Sequence, residues 1–232
     1  MRNFAVIIPA YNPMDELTHY ISELINNDIA QVIVINDGNS KEYDHLFEEI
    51  TQLDRTVVIN HKTNRGKGAG LKTAFTYLHE QNNPLIQGAV TADADGQHLI
   101  EDVLTVGSQL VEYQNDYVIG VRDFTEPHVP MRSKVGNFLA SQVFKLLFGY
   151  YLHDTQTGLR GVGVKEFNAC SNLSGYGFEY EINMLMYIAK NKKKIDEVEI
   201  STVYHEEHFS NYSTFSDSLS IAGALVKGYF SK

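Results

Sequence analysis

Four short apolar runs, residues 4–8, 31–35, 56–60 and 85–92, are separated by stretches whose apolar side chains recur at helical spacing, and this alternation constrains the fold more than any other feature. Residues 15–25, 43–50 and 69–78 supply the helical faces, Tyr43, Leu46, Phe47 and Ile50 marking one of them. Strands that alternate with helices pair in parallel, because a parallel connection needs a crossover long enough to hold a helix. The sequence therefore predicts an α/β fold, a mostly parallel sheet flanked by helices in a single domain. Ligands of such sheets gather beyond the carboxyl ends of the strands. Tyr11, Asp37 and the stretch from Asp93 to Gln97 all fall there.

Residues 99–112 read as a further helix and 116–121 as a strand, after which the character of the chain changes. A loop holds Arg122, Pro127, Pro130, Arg132 and Lys134. Residues 135–152 then carry Lys145 as their only charge and are apolar around most of a helix, which is either deeply buried or touches lipid. A polar cluster at 154–161, a short strand near Val162, a helix over 179–191 and an alternating strand over 198–204 follow. A loop over 205–216 and an amphipathic helix bearing Leu219, Ala222, Val226 and Tyr229 close the chain. No linker divides it, so residues 1–123 and 124–232 are expected to be two halves of one domain, the first for a nucleotide and the second for the other substrate.

Composition narrows the partners. A hydrophobic fraction of 43 % against 21 % charged is that of an ordinary globular chain. A formal net charge of −10 argues against a broad nucleic-acid surface, which needs clustered cations, so any anion must be held by a local site. Cys170 alone gives neither an internal disulfide nor a zinc cluster and fits a reducing compartment. Pro9 and Asn12 interrupt the first apolar run, which is thus not a signal peptide, and no stretch of about 20 residues is long and apolar enough to span a bilayer. The expected location is the cytoplasm, with any membrane contact peripheral or through a partner.

Asp93 and Asp95 leave their strand on one face, and two adjacent carboxylates repel unless something positive sits between them. Either they are solvated turn aspartates or they hold a hard divalent cation, to which Gln97 or His98 adds a ligand. Other chemistries fail on spacing. The first strand ends in Pro9-Ala10-Tyr11-Asn12 where a dinucleotide fold needs its glycines, and Leu71 replaces the glycine that a P-loop requires before Lys72-Thr73. Asp37 beside Gly38 reads as a turn aspartate or as an acceptor for a base or ribose. Arg122 and Arg132 suit bidentate capture of a diphosphate or are surface residues. Asp154 opens a polar loop that is either capped or functional. The run Lys192-Lys193-Lys194 attracts an anionic membrane or simply ends a helix.

Taken in order, Ile7-Ile8-Pro9-Ala10-Tyr11-Asn12, Asn36-Asp37-Gly38, Asn64-Arg65-Gly66-Lys67-Gly68, Asp93-Ala94-Asp95-Gly96-Gln97-His98 and Asp154-Thr155-Gln156-Thr157-Gly158-Leu159-Arg160 resemble the signatures of family 2 glycosyltransferases of GT-A fold. The likeness is to the polyprenyl-phosphate sugar transferases, the dolichyl-phosphate mannose synthase-like branch, over roughly residues 4–232. The resemblance implies an inverting transferase that moves a hexosyl or N-acetylhexosaminyl group from a UDP- or GDP-sugar to a polyprenyl phosphate for cell-surface glycan synthesis. It implies Mg²⁺ or Mn²⁺ at Asp93, Asp95 and Gln97, nucleoside contacts from Pro9, Tyr11 and Asp37, and further donor contacts from Lys67 and Arg160. Arg122 and Arg132 would grip phosphates and Asp154 would orient the acceptor. It places the protein at the inner face of the plasma membrane, held directly or by a small membrane protein. Relatives often continue into transmembrane helices, which this sequence does not encode. A soluble hydroxyl acceptor, with Asp154 as base, a sugar nucleotidyltransferase and a silent nucleotide-sugar binding subunit are the alternatives.

Overall fold

The computed structural model describes residues 1–125, 129 and 131–201, with the backbone alone at Arg132. Seven strands form one sheet: β1 (Arg2–Ala10), β2 (Ile29–Asn36), β3 (Thr56–Asn60), β4 (Gly88–Thr91), β5 (Tyr117–Arg122), β6 (Arg160–Gly163) and β7 (Ile195–Ile200). Their order across the sheet is β3-β2-β1-β4-β6-β5-β7. All run one way except β6, which pairs antiparallel with both β4 and β5. The helices are α1 (Leu17–Asn26), α2 (Asp44–Thr51), α3 (Lys67–Gln81), α4 (Ile100–Glu112), α5 (Met131–Phe148), α6 (Phe167–Asn172) and α7 (Glu179–Lys190).

Side-chain alternation along β1 sorts them into two layers. Phe4, Val6 and Ile8 face a core shared with Leu17, Ile21, Leu46, Phe47, Val103 and Val106, from α1, α2 and α4. Ala5 and Ile7 face the opposite core, where Leu71 and Phe75 of α3 meet Phe144 of α5, Phe167 of α6 and Tyr180 and Leu185 of α7. A sheet buried on both faces needs continuous apolar strands, which is why β1 and β2 read as unbroken runs and not as alternating ones.

Three boundaries differ from expectation. β4 begins at Gly88 and not at 85, because the Asn83 carbonyl and side chain hold a turn that leaves Leu85 half-exposed. The apolar helix expected over 135–152 starts at Met131 and stops at Phe148, where Gly149 takes φ 72°, so Lys134 and the backbone of Arg132 lie on its first turn and not in a loop. β7 starts at Ile195, three residues early, and its expected extension to 204, the loop over 205–216 and the C-terminal amphipathic helix lie outside the described residues.

Candidate active site

Register brings the strand ends together. Ala10 lies opposite Asn36 and Asn36 opposite Asn60, while Ile7 opposite Thr91 carries β4 to the same edge. Tyr11, Asp37, His61 and Asp93 therefore leave the sheet along one line. Tyr11 is exposed, Pro9 is half-buried, and Asp37 is 2 % exposed.

Asp37 is held by its own chain. Its Oδ1 lies 2.6 Å from His61 Nδ1 and accepts the Arg65 N–H at 3.0 Å, and its Oδ2 accepts the Gly66 N–H at 2.8 Å. His61 Nε2 meets the Thr73 hydroxyl of α3 at 2.9 Å. The carboxylate thus shapes the loop over 61–66 that delivers Lys67, the first residue of α3. Gly66 has φ 92°, and a Cβ there would come 2.5 Å from the Tyr176 carbonyl oxygen, so the turn into the helix admits only glycine.

Lys67 is where the two halves of the chain meet. Its ammonium lies 2.6 Å from Asp93 Oδ1, 3.2 Å from Glu181 Oε1 on α7 and 5.8 Å from the centre of the Phe178 ring. His98 Nε2 stands 3.4 Å from the other Asp93 oxygen. Burial alone would raise the Asp93 carboxyl, but Lys67 and His98 outweigh it and hold Asp93 well below the usual carboxylate range. Burial would likewise lower Lys67, and Asp93 with Glu181 reverses that, keeping the ammonium charged. Asp95 differs: burial and then the Asp93 charge raise it, against a lowering contribution from the Gln97 N–H that it accepts at 3.1 Å.

The loop between α5 and β6 covers this centre. Thr91 Oγ1 donates to the Gly158 carbonyl at 2.7 Å. A Cβ at Gly158 would sit 2.5 Å from Asp93 Oδ2 and 3.0 Å from Lys67 Nζ, so glycine lets the loop lie directly on the ion pair. Arg160, 1 % exposed, donates to the carbonyls of Thr157 (2.9 Å), Glu181 (2.6 Å) and Thr155 (3.4 Å). Its fork ties the loop to α7. Asn137 of α5 adds a tie, donating to the His153 carbonyl at 2.6 Å and accepting the Thr155 N–H at 3.1 Å.

Asp154 is fully buried, and Arg122 grips it bidentately, Nε to Oδ2 at 2.6 Å and a terminal nitrogen to Oδ1 at 3.0 Å. The Gln156 N–H donates to Oδ1 at 2.9 Å as well. The two residues expected to act on substrates separately are thus partners of each other. A carboxylate enclosed in such a clamp is poorly placed for the base role that the hydroxyl-acceptor alternative would need. Arg132 belongs to α5 by its backbone, and its side chain lies outside the described residues.

Among the described residues no three His, Cys, Asp or Glu side chains converge as a ready metal cage. Asp93 and Asp95 still fit a hard divalent cation. They offer oxygen donors, Asp95 is raised by its neighbour's charge, and Mg²⁺ is ordinarily held by one or two carboxylates with water and phosphate filling its other positions. Glu181, Asn137 and His61 escaped the sequence reading. Glu181 stands within the apolar face of α7, between Tyr180 and Ile182, and a carboxylate there was the one available signal.

The arrangement is thus a parallel-rich sheet with paired aspartates beyond its carboxyl edge and a covering loop from the second half of the chain. The family described as Glycosyl transferase family 2 matches residues 5–180, and the chain belongs to it. It is 30 % identical over 219 residues to a UDP-N-acetylglucosamine–dolichyl-phosphate N-acetylglucosaminyltransferase of Methanococcus voltae, covering 87 % of this chain and 86 % of that one. An uncharacterised protein of Methanocaldococcus jannaschii is 29 % identical over 225 residues, covering 95 % and 90 %. The fold matches glucosyl-3-phosphoglycerate synthase of Mycobacterium tuberculosis, solved with Mn²⁺, UDP and phosphoglyceric acid, at a TM-score of 0.70 and 14 % identity over 100 % of this chain and 80 % of that one.

Proposed function

We propose that this glycosyltransferase moves a sugar, an N-acetylhexosamine or hexose, from a UDP-sugar to a polyprenyl phosphate at a membrane surface. The observation that carries the acceptor is the two-sidedness of α5. Its Asn137 bonds the covering loop and its Ala140, Ser141 and Phe144 are buried, while Met131, Val135, Phe138, Leu139 and Leu146 stand exposed on the same helix. One helix thus joins the site to an apolar surface that suits a lipid chain. The relative that acts on dolichyl phosphate supports the same reading.

Asp93 and Asp95, with Gln97 beside them, would hold Mg²⁺ or Mn²⁺, which supplies Lewis-acid stabilisation of the departing diphosphate. Lys67 at the amino end of α3 meets the same developing charge, and the helix end adds its positive pole. Tyr11, Pro9 and the loop shaped by Asp37 frame the nucleoside, residues 1–123 forming the donor half and the rest of the chain the acceptor half. A phosphate acceptor is already an anion and needs no strong base, which agrees with the enclosure of Asp154. That enclosure argues against a hydroxyl acceptor activated by Asp154.

The test is transfer from UDP-N-acetylglucosamine, UDP-glucose and GDP-mannose, each offered with polyprenyl phosphate in detergent and with soluble hydroxyl acceptors, in Mn²⁺ and in EDTA. An organic-extractable, metal-dependent product from a UDP-sugar is expected. Faster transfer to soluble hydroxyls overturns the acceptor assignment, and undiminished turnover in EDTA overturns the metal.

A further inference from the structure

Around Lys67 the charges do not balance. Asp93 and Glu181 flank a single ammonium, which leaves one carboxylate over. The ammonium is also placed unevenly, at 2.6 Å from Asp93 and 3.2 Å from Glu181. Glu181 is 8 % exposed, and its Oε1 takes no well-formed hydrogen bond although the ammonium stands beside it. A buried carboxylate oxygen left in this condition is costly unless a donor is within reach, and Lys67 is the charge in reach among the described residues.

We propose that Lys67 competes with the divalent cation for Asp93, and that Glu181 is the acceptor to which its ammonium shifts when Asp93 turns to the metal. A lysine ammonium suits this exchange, being a compact charge on a flexible stem with three rotatable donors. The shift shortens and aligns a contact that already stands at 3.2 Å, strands no buried charge, and turns Lys67 away from the ligand carboxylate. Glu181 is then a positioning residue that sets metal affinity through Lys67 without itself binding the metal. Its place on α7, where its carbonyl also receives Arg160, fixes the acceptor against the covering loop. The inference rests on the reading of Asp93 and Asp95 as metal ligands.

The experiment is Mn²⁺ binding to the donor-free protein, read from the free-ion electron paramagnetic resonance signal, for wild type, Lys67→Met, Glu181→Gln and the double variant. Removing the competing ammonium tightens Mn²⁺ by about tenfold or more. Glu181→Gln weakens it by about threefold or more, and this loss is larger with Lys67 present than in the Lys67→Met background, the mark of an effect acting through Lys67. An equal or smaller loss with Lys67 present overturns the acceptor role, because Glu181 would then act by its charge alone. Unchanged or weaker binding on loss of Lys67 overturns the competition. If Lys67→Met alone does not fold, the double variant removes the pair together, and its tighter binding than Glu181→Gln carries the same test. Wild type and variants that all bind no Mn²⁺ overturn the metal reading and this inference with it. Binding that is the same in all four overturns this inference alone.

Discussion

Asp93 and Asp95 leave β4 two residues apart, and the protein treats them oppositely. Lys67 and His98 hold Asp93 in its charged form, whereas burial and the Asp93 charge work against ionisation of Asp95. The folded-state pKa of Asp95 is raised, so the stability linked to it is full below its unfolded value and is lost as pH rises through the folded one. At neutral pH the ionised pair is therefore a standing cost to the metal-free protein. Asp95→Asn should raise the melting temperature in EDTA only slightly, because Asp95 is exposed and solvent screens its neighbour's charge, while lowering turnover roughly 10²- to 10³-fold. Thermal melts and rates on one preparation check both; turnover within threefold of wild type removes Asp95 from the metal site. Gly158→Ala tests the loop that lies on Asp93. With a Cβ 2.5 Å from Oδ2 something must move, and turnover should fall at least about tenfold while circular dichroism stays that of wild type.

The elements show which parts of the sequence speak for themselves. The β1 to α3 region was legible because each unit is local: an apolar strand, a polar turn, an amphipathic helix. Asp93, Asp95 and Lys67 were legible too, since each stands at a strand or helix end. The partnerships were not. Arg122 with Asp154, Arg160 with Glu181 and Lys67 with Glu181 join residues far apart in the chain, and only the insertion of antiparallel β6 between β4 and β5 brings them together. The Arg122–Asp154 clamp ties the end of β5 to the covering loop. Removing one partner of a buried pair leaves the other charge uncompensated, so Arg122→Ala should cost about 3–5 kcal/mol in urea unfolding. Arg122→Lys, which keeps the charge and loses the fork, should cost less yet still lower kcat. Equal stability of Arg122→Ala and wild type rules out the clamp. On the buried face of α6, burial pushes the Cys170 thiol up to about 12 from 9.0. Its folded value is the higher one, so its stabilisation is full below about pH 9 and fades as pH rises towards 12, by up to about 1.4 kcal/mol per pH unit. Unfolding midpoints between pH 8 and 10.5 should fall less steeply in Cys170→Ala than in wild type.

At the scale of the whole molecule the proposed acceptor raises the question of how an acidic protein would meet a lipid. No helix among the described residues is long and apolar enough to cross a membrane. Of the lysines at 192–194, Lys193 is paired with Glu166 at 2.8 Å and Lys194 donates to the Tyr113 carbonyl, which weakens them as a basic patch. The acidic net charge opposes general attraction to anionic lipid. What is left is apolar: Met131 is 72 %, Phe138 56 % and Leu146 85 % exposed, spread over about four turns of α5. A helix of this kind docks in the plane of the interface with its apolar face about 5–10 Å into the boundary. We therefore expect Phe138→Ser/Leu146→Ser to lose co-flotation with vesicles containing polyprenyl phosphate and to turn over that acceptor at least about tenfold more slowly. A water-soluble short-chain prenyl phosphate separates docking from chemistry, because it needs no membrane and should be used by the variant at the wild-type rate. Flotation and vesicle turnover that match wild type would show that α5 is not the docking face. Equal losses on both acceptors would mean instead that the two substitutions damage the site through Asn137 and the covering loop.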